Sequence, residues 1–484
     1  MKRLVVLRLL FVIIGGCTFL MIPPLIAALV LGETFMAPSF LIPPSIGLVL
    51  FLSAVFFGRK KNQVLPGINP REGFLLVFLT WFFASLAGSL PYHFSPVAMS
   101  FSNAIFESAC GFATTGATTL TSIEALPKSL LFWRSMSQWA GGMGIILLTV
   151  AIVPLLGVGA FQLIKAEVTG PDKEKFAPRM TGAAKIIWGV YCSFTVLLAL
   201  LYRLGGMDWF DAICHSLSVT ATGGLSTKNN GFGFYNSPFI DWVTTIFMLL
   251  GALNFNMYYK LARGKFRELV HNTESRVYVF IFIAAASIVT ISLIPNYGSL
   301  SNALRFGAFQ TASILTTTGS VRSDYTAWPA LTQAVLFCLM FIGGCSGSTA
   351  GGVKVIRHTI LFKQVGNELR RFLYPQGVFS IQLNGKVGRK DIVYGVAGFV
   401  FLYFSIVAIT ALVTAASGYD LFSSFSAAVS ITGNIGTGFG MIGPFQNFHA
   451  FPDHLKLFYS LVMIAGRLEL WTVFVLFTPE YWRA

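Results

Sequence analysis

The chain has 484 residues, 55% of them hydrophobic and only 11% charged, and its mean hydropathy is +0.71. Soluble domains carry about 25% charged residues, so composition excludes an ordinary water-soluble protein and indicates a polytopic membrane protein. The net charge is +15, but the bases sit in short clusters between apolar runs, which points to membrane orientation rather than nucleic-acid binding.

The N-terminal MKRLVVLRLLFVIIGG resembles the first two regions of a signal peptide. The apolar run continues to about Leu31, and LIPPSIGLVLFLSAVFF follows as a partner, so we read it as an uncleaved first span. Two spans, near 6–31 and 40–57, are closed by GRKKN at 58–62. The six cysteines (Cys17, Cys110, Cys192, Cys214, Cys338, Cys345) show no CxxC or zinc spacing, so neither a disulfide framework nor a metal site is supported.

From there a unit recurs: a long apolar helix, a short amphipathic segment, a Thr/Gly-rich stretch and a second helix. Unit one has FLLVFLTWFFASLAGSL, SNAIFESACGF, TTGAT and a helix from about Trp133. Unit two has IIWGVYCSFTVLLALLY, DAICHSLSVTA, TGGLS and DWVTTIFMLLGALNF. Unit three has VYVFIFIAAASIVTISLI, LRFGAFQTASIL, TTGSV and the region from Trp328 into the 350s. Unit four has DIVYGVAGFVFLYFSIVAITALVTA, LFSSFSAAVSITG, NIGTG and LKLFYSLVMIAGRLELWTVFVLF, predicted as one helix. Ala104 and Gly116, Ala212 and Gly224, Gly307 and Gly319, and Ser424 and Gly436 are each twelve positions apart. A shared offset in all four units argues for internal repeats rather than chance packing patches. The division is 1–62 for the two leading helices, then 63–180, 181–270, 271–385 and 386–484 for the repeats.

The basic clusters are Lys2/Arg3/Arg8, Arg59/Lys60/Lys61, Lys165 through Lys185, Lys260/Arg263/Lys265/Arg267 and Lys354 through Lys390. They share one face if each unit has two spans and its short segment re-enters from the other face; the positive-inside rule makes that face cytoplasmic. The outer loops hold Glu107, Asp208, Asp211, Asp241, Asp324 and Asp420. These acids form either a mildly negative mouth that concentrates cations or ordinary solvated loop charges.

Irregular backbone at membrane depth is tolerated only when buried in protein or lining a watery cavity. Four such stretches can surround one axis, with glycine freeing the backbone to turn its carbonyls inward. A ring of carbonyls can replace the hydration shell of an alkali cation. None of the four stretches contains an acid, which suits a monovalent ion better than a divalent one.

In TTGAT (114–118), TGGLS (222–226), TTGSV (317–321), NIGTG (434–438), GGCSGSTAGGVKVIR (343–357) and GRLELW (466–471), the chain resembles the Trk/Ktr/HKT superfamily of cation transporters, and within it the bacterial Trk-type potassium uptake subunits. The resemblance covers essentially the whole chain, and the leading pair of spans resembles Trk rather than the shorter Ktr subunit. It implies an all-α polytopic membrane protein with four membrane–pore-helix–membrane repeats around a central pore, plus two N-terminal helices. It also implies a K+ selectivity filter at Thr114, Thr115, Gly116, Thr222, Gly223, Gly224, Thr317, Thr318, Gly319, Asn434, Ile435 and Gly436. Gly223 neighbours Gly224; the common spacing favours Gly224 as the filter glycine. Glycine at all four positions implies potassium selectivity. Thr437 stands where the resemblance leads us to expect proline.

The small polar run Gly343, Gly344, Cys345, Ser346, Gly347, Ser348, Thr349, Ala350, Gly351 and Gly352 cannot hold a helix firmly. Close packing of small residues is one reading; the resemblance implies an intramembrane gate loop below the filter. The run is no phosphate-binding loop, because Lys354 does not directly follow a glycine. Arg467 lies in the last apolar helix, where an arginine costs at least about 2.5–3.5 kcal/mol and needs a cavity or partner; the resemblance implies that it projects into the pore near that loop. Glu107 and His215 read as structural hydrogen-bonders, and Asn254 and Asn256 as helix-contact residues. No catalytic constellation is present, so an enzyme is not expected.

The resemblance further implies inward potassium movement across a bacterial inner membrane, both termini cytoplasmic, and a homodimer with two separate pores. A cytosolic ring of nucleotide-binding regulator subunits would dock on the basic loops at 165–185, 260–275 and 354–390. ATP, ADP or NAD would then bind that partner and not this chain. The alternatives are a sodium-permeable or ion-coupled member of the same superfamily, a secondary transporter of another class, or a membrane-embedded enzyme or structural subunit.

Overall fold

Apolar segments withdrawn from water must close their backbone hydrogen bonds within themselves, so each long run folds as a helix. The computed structural model describes residues 3–59, 69–147, 176–264, 266–387 and 390–483. The readings that involve Lys2, Lys60, Lys61, 165–175, Lys265 and Arg389 lie outside these residues. Six of the described helices are long and apolar enough to cross a membrane, and two bent helix pairs raise the number to eight.

The leading extension is α1 (Arg3–Phe19), α2 (Ile22–Val30) and α3 (Ala37–Arg59). The first predicted span is therefore briefly interrupted before Ile22, with prolines at the start of α2. Unit one has α4 (Pro70–His93), pore helix α5 (Phe101–Phe112) and α6 (Lys128–Leu147). Unit two has α7 (Phe176–Leu204), pore helix α8 (Trp209–Thr220), α9 (Pro238–Gly251) and α10 (Phe255–Ala262). Unit three has α11 (Thr273–Tyr297), pore helix α12 (Leu300–Leu315), α13 (Ala330–Leu339) and α14 (Val355–Leu373). A two-stranded hairpin, β1 (Gln382–Leu383) with β2 (Lys386–Val387), follows. Unit four has α15 (Lys390–Ala416), pore helix α16 (Leu421–Gly433), α17 (Asp453–Arg467) and α18 (Trp471–Phe474).

Two second helices differ from expectation. DWVTTIFMLLGALNF bends by 91° between α9 and α10, where Asn254 caps α10 by accepting from Asn256 N–H. The last apolar stretch bends by 108° between α17 and α18. Glu469 and Leu470 take left-handed φ of 59° and 44° there, a conformation costly for side chains with a Cβ. Hydropathy runs straight through both bends, so composition does not reveal them.

Each pore helix begins with a short polar cap. Ser100, Asp208, Ser299 and Asp420 accept from the N–H groups of Asn103, Asp211, Asn302 and Ser423, satisfying donors that an isolated helix start would leave open. Each pore helix packs against the first span of its own unit. The second helices pack onward: α6 on α8, α9 on α12, and α17 back on α5. This order wraps the four units around one centre.

Glycine sets how close the second helices come. A Cβ on Gly141 of α6 would fall on Phe112 O, and one on Gly466 of α17 on Thr432 O, the corresponding positions at the ends of pore helices one and four. Overpacking of this kind costs about 1–3 kcal/mol. Gly141→Ala is therefore expected to lower the thermal aggregation midpoint of the detergent-purified protein. Gly189→Ala, on α7 with open space around its Cα, is the control and is expected not to lower it.

Candidate functional site

The four Thr/Gly stretches share one backbone course. Thr114, Thr222, Thr317 and Asn434 have φ of 50°, 50°, 53° and 54°. Two residues on, Gly116, Gly224, Gly319 and Gly436 have φ of 83°, 80°, 71° and 87°. Gly223 is not among the left-handed residues, so Gly224 is the geometric equivalent in unit two, as the spacing favoured. Each pore helix ends in the same double bond pattern. In unit one Thr114 N–H donates to Gly111 O and Thr115 N–H to Cys110 O; in unit four Asn434 N–H donates to Ile431 O and Ile435 N–H to Ser430 O. This is a left-handed helix stop in which glycine or asparagine is usual. A β-branched threonine there is strained and is held in place by its surroundings.

The stretches close into a ring. A Cβ on Gly116 would lie 2.6 Å from Gly223 O, and a Cβ on Gly224, Gly319 or Gly436 would fall on the oxygen of Thr318, Ile435 or Thr115 respectively. Each glycine thus faces the carbonyl before the glycine of the next unit, in the order one, two, three, four, one. Only glycine fits. The oxygens of Thr115, Thr318 and Ile435 accept no hydrogen bond from the described residues. Gly223 O accepts from Gln138 Nε2 at 2.5 Å, and Ser218 Oγ donates to Gln138 Oε1 at 2.8 Å. Sequence reading missed Gln138; the missing side chain at Gly223, which leaves room for it, was the available signal.

Behind the ring the units differ. Glu107 accepts from Thr118 Oγ1 at 2.8 Å and Thr119 N–H at 2.6 Å, and pairs with Arg134 at 3.2 Å. His215 occupies the same register in unit two and meets Ser226 Oγ at 2.9 Å. Both are the structural hydrogen-bonders expected. In units one and three the strand is also held by a side chain of the pore helix: Cys110 Sγ donates to Ala117 O and Ser313 Oγ to Ser320 O.

The outer acids divide: Glu107, Asp211 and Asp241 are buried and paired, whereas Asp208, Asp324 and Asp420 are exposed, as solvated loop charges are. Glu107 is buried against Arg134. Asp211 accepts from Thr227 and Tyr235 and pairs with Lys228. Asp241 pairs with Arg322 at 3.0 Å and Arg305 at 3.6 Å. Asp208 and Asp420 cap pore helices, and Asp324 caps the turn at Thr326. The three buried acids hold the segments that follow the ring strands. Removing one partner of a buried pair costs about 3–5 kcal/mol, so Glu107→Ala is expected to lower the folded yield and thermal midpoint sharply. Glu107→Gln, which retains an acceptor, should do so less.

The 343–352 run is not helical; it is an irregular loop joining α13 to α14, and it lies against the base of the ring. Gly351 N–H donates to Thr317 Oγ1 at 2.6 Å, and Thr349 Oγ1 lies 3.1 Å from Thr222 Oγ1 and 2.9 Å from Gly251 O. Cys345 N–H donates to Ala252 O, and Phe255 N–H to Gly347 O, so the loop is tied to the bend of unit two. Arg467, at the end of α17, donates to Thr349 O at 2.6 Å and Gly141 O at 3.3 Å. Glu469 pairs instead with Arg357 of α14. A small pocket under the loop is lined by Gly347, Gly351, Lys354, Arg467 and Glu469, among others. The structure thus brings together all four glycine stretches, the loop and Arg467. Thr437 is buried beside the fourth glycine, and Gly438 O next to it accepts from Tyr325 OH of unit three at 2.8 Å.

Four re-entrant pore helices, each ending in a glycine strand and together closing a ring within a multi-pass bundle, define a channel-like membrane transport protein. The family model TrkH, described as cation transport protein, matches residues 48–484, and the chain belongs to this family. It is 39% identical to the Trk system potassium uptake protein TrkH of Salmonella typhimurium, over 88% of each chain. It is 35% identical to that of Halomonas elongata over the whole of both chains. The crystal structure of the potassium transporter TrkH from Vibrio parahaemolyticus superposes with a TM-score of 0.89, at 33% identity and with complete coverage of both chains. These relatives are named as transport proteins, not enzymes.

Proposed function

We propose that this chain takes up potassium through the ring at Gly116, Gly224, Gly319 and Gly436, with K+ as the transported substrate. The observation that carries this reading is the closed cyclic order of the four strands, with three of the four ring oxygens, those of Thr115, Thr318 and Ile435, satisfied by no described donor. Buried carbonyls need a partner, and a dehydrated alkali cation supplies one without a fixed counter-charge. The pore helices direct their C-terminal partial negative charge at the same place.

The loop at 343–352 closes the path below the ring, and Arg467 adds a positive charge and a tether there. As a Trk system membrane subunit, the chain works in the inner membrane with both termini cytoplasmic, as a homodimer. A cytosolic nucleotide-binding regulator ring acts on the loop, and the nucleotide, ATP, ADP or NAD, sits on the regulator. The relatives' names and the full-length superposition support the membrane part of this assembly.

Reconstituted liposomes test the filter with K+, Rb+, Na+ and Li+ fluxes. K+ and Rb+ are expected to outrun Na+ and Li+, and Gly116→Ser should reduce that discrimination. Equal K+ and Na+ flux through the unsubstituted protein would favour a sodium-permeable transporter instead. Arg467→Ala is expected to raise basal flux at normal expression; flux at or below the parent level would remove Arg467 from the gate.

A further inference from the structure

Two main-chain N–H groups, one within the 343–352 loop and one just beyond it, share a single acceptor. Ser346 N–H donates to Glu274 Oε1 at 2.6 Å, and Ile356 N–H, in the first turn of α14, donates to the same oxygen at 3.3 Å. Glu274 is 6% exposed and is the second residue of α11, the first span of the same unit. Among the described residues it is the one carboxylate that accepts from the loop's main chain.

A glutamate in a first helical turn needs no further role, since it complements the helix dipole. The geometry goes beyond that. Main-chain hydrogen bonds to a carboxylate can be shorter and stronger than neutral ones; the Ser346 bond is short and the Ile356 bond longer, and together they hold the loop and the start of α14 on one oxygen. A loop that swings clear of the path must give up the Ser346 bond, so Glu274 favours the closed arrangement over any open one.

Its seat is also built. Asn384 Oδ1 accepts from Thr273 N–H at 2.7 Å, and Asn384 N–H donates to Thr273 Oγ1 at 3.1 Å. Asn384 and Gly385, with φ of 49° and 74°, form the tight turn of the hairpin between α14 and α15. Ile381 and Leu383 anchor that hairpin on Ile360 of α14 and Ile392 and Val396 of α15. The hairpin therefore fixes the residue next to Glu274 and is itself packed on the helix that leaves the loop.

We propose that Glu274 is a positioning residue of the gate, its carboxylate clasping the 343–352 loop shut, and that the 382–387 hairpin seats this clasp through Asn384. The proposal rests on the reading of the loop as the gate. Cys345, fully buried in the loop, is a native reporter of its release.

The experiment uses the full chain in liposomes, with two readouts: basal K+ flux, and the rate at which a small methanethiosulfonate reagent modifies Cys345, followed by mass spectrometry of its peptide. Glu274→Ala is expected to raise both by roughly tenfold, the population shift that follows from losing one charge-assisted hydrogen bond, with the K+/Na+ ratio unchanged. Glu274→Gln, of the same shape but uncharged, should raise both by less, and decides the matter if the alanine variant does not fold. Asn384→Ala should raise both by a smaller factor still; parent values there would remove the hairpin from the proposal. If Arg467→Ala raises flux while both Glu274 variants leave flux and Cys345 modification at parent values, the clasp is wrong and the gate stands. If none of these variants raises either readout, the gate reading itself fails.

Discussion

A peptide group that leaves water must find another partner, and at the ring the carbonyls of Thr115, Thr318 and Ile435 find none among the described residues. Much else in the fold follows from accommodating that exposure inside a membrane. Irregular strands survive at such depth only if protein surrounds them, so each is delivered by a re-entrant helix that stops short and is shielded by a span on either side. The stop itself needs a left-handed residue, and three of the four are threonines in a conformation they disfavour. Neighbouring strands, the pore helix and the helices behind them hold that strain.

Fourfold likeness ends one layer away from the ring. Unit one is backed by a buried carboxylate–guanidinium pair, unit two by a histidine and a serine, and unit four has alanine at the corresponding position, Ala427. Below the ring the divergence is larger. The second helices of units two, three and four are all interrupted: a bend, a loop and another bend. The loop of unit three is tied to the bend of unit two and to the end of α17 in unit four. A single chain with four unlike units can place one irregular loop beneath the ring in this way, whereas a strictly symmetric ring would repeat it four times.

Much of this was legible from residue order. Apolar length gave the spans, because a membrane helix has to satisfy its own backbone. The offset of twelve from Ala104, Ala212, Gly307 and Ser424 to the ring glycines gave the repeats, and even separated Gly224 from Gly223. The run of small residues at 343–352 announced a broken helix. The bends after Gly251 and Arg467 were not legible, since the hydropathy there continues unbroken and the left-handed turn at Glu469 and Leu470 has no glycine to mark it. The hairpin at 382–387 was missed because strands of two residues are too short to show alternation. The buried pairing of Glu107, Asp211 and Asp241 was not legible for a different reason: whether Asp241, for one, is solvated or paired depends on Arg305 and Arg322, which belong to another unit.

The sequence alone therefore determined the class of molecule and the places where four glycines had to stand, because hydropathy and spacing are local properties that each unit carries by itself. The tertiary structure alone decided what those glycines face. The cyclic order of the ring, the pairing of Glu469 with Arg357 rather than Arg467, and the sharing of Glu274 Oε1 by Ser346 and Ile356 join residues far apart in the chain. Such contacts are set by how helices pack, and no local pattern records them.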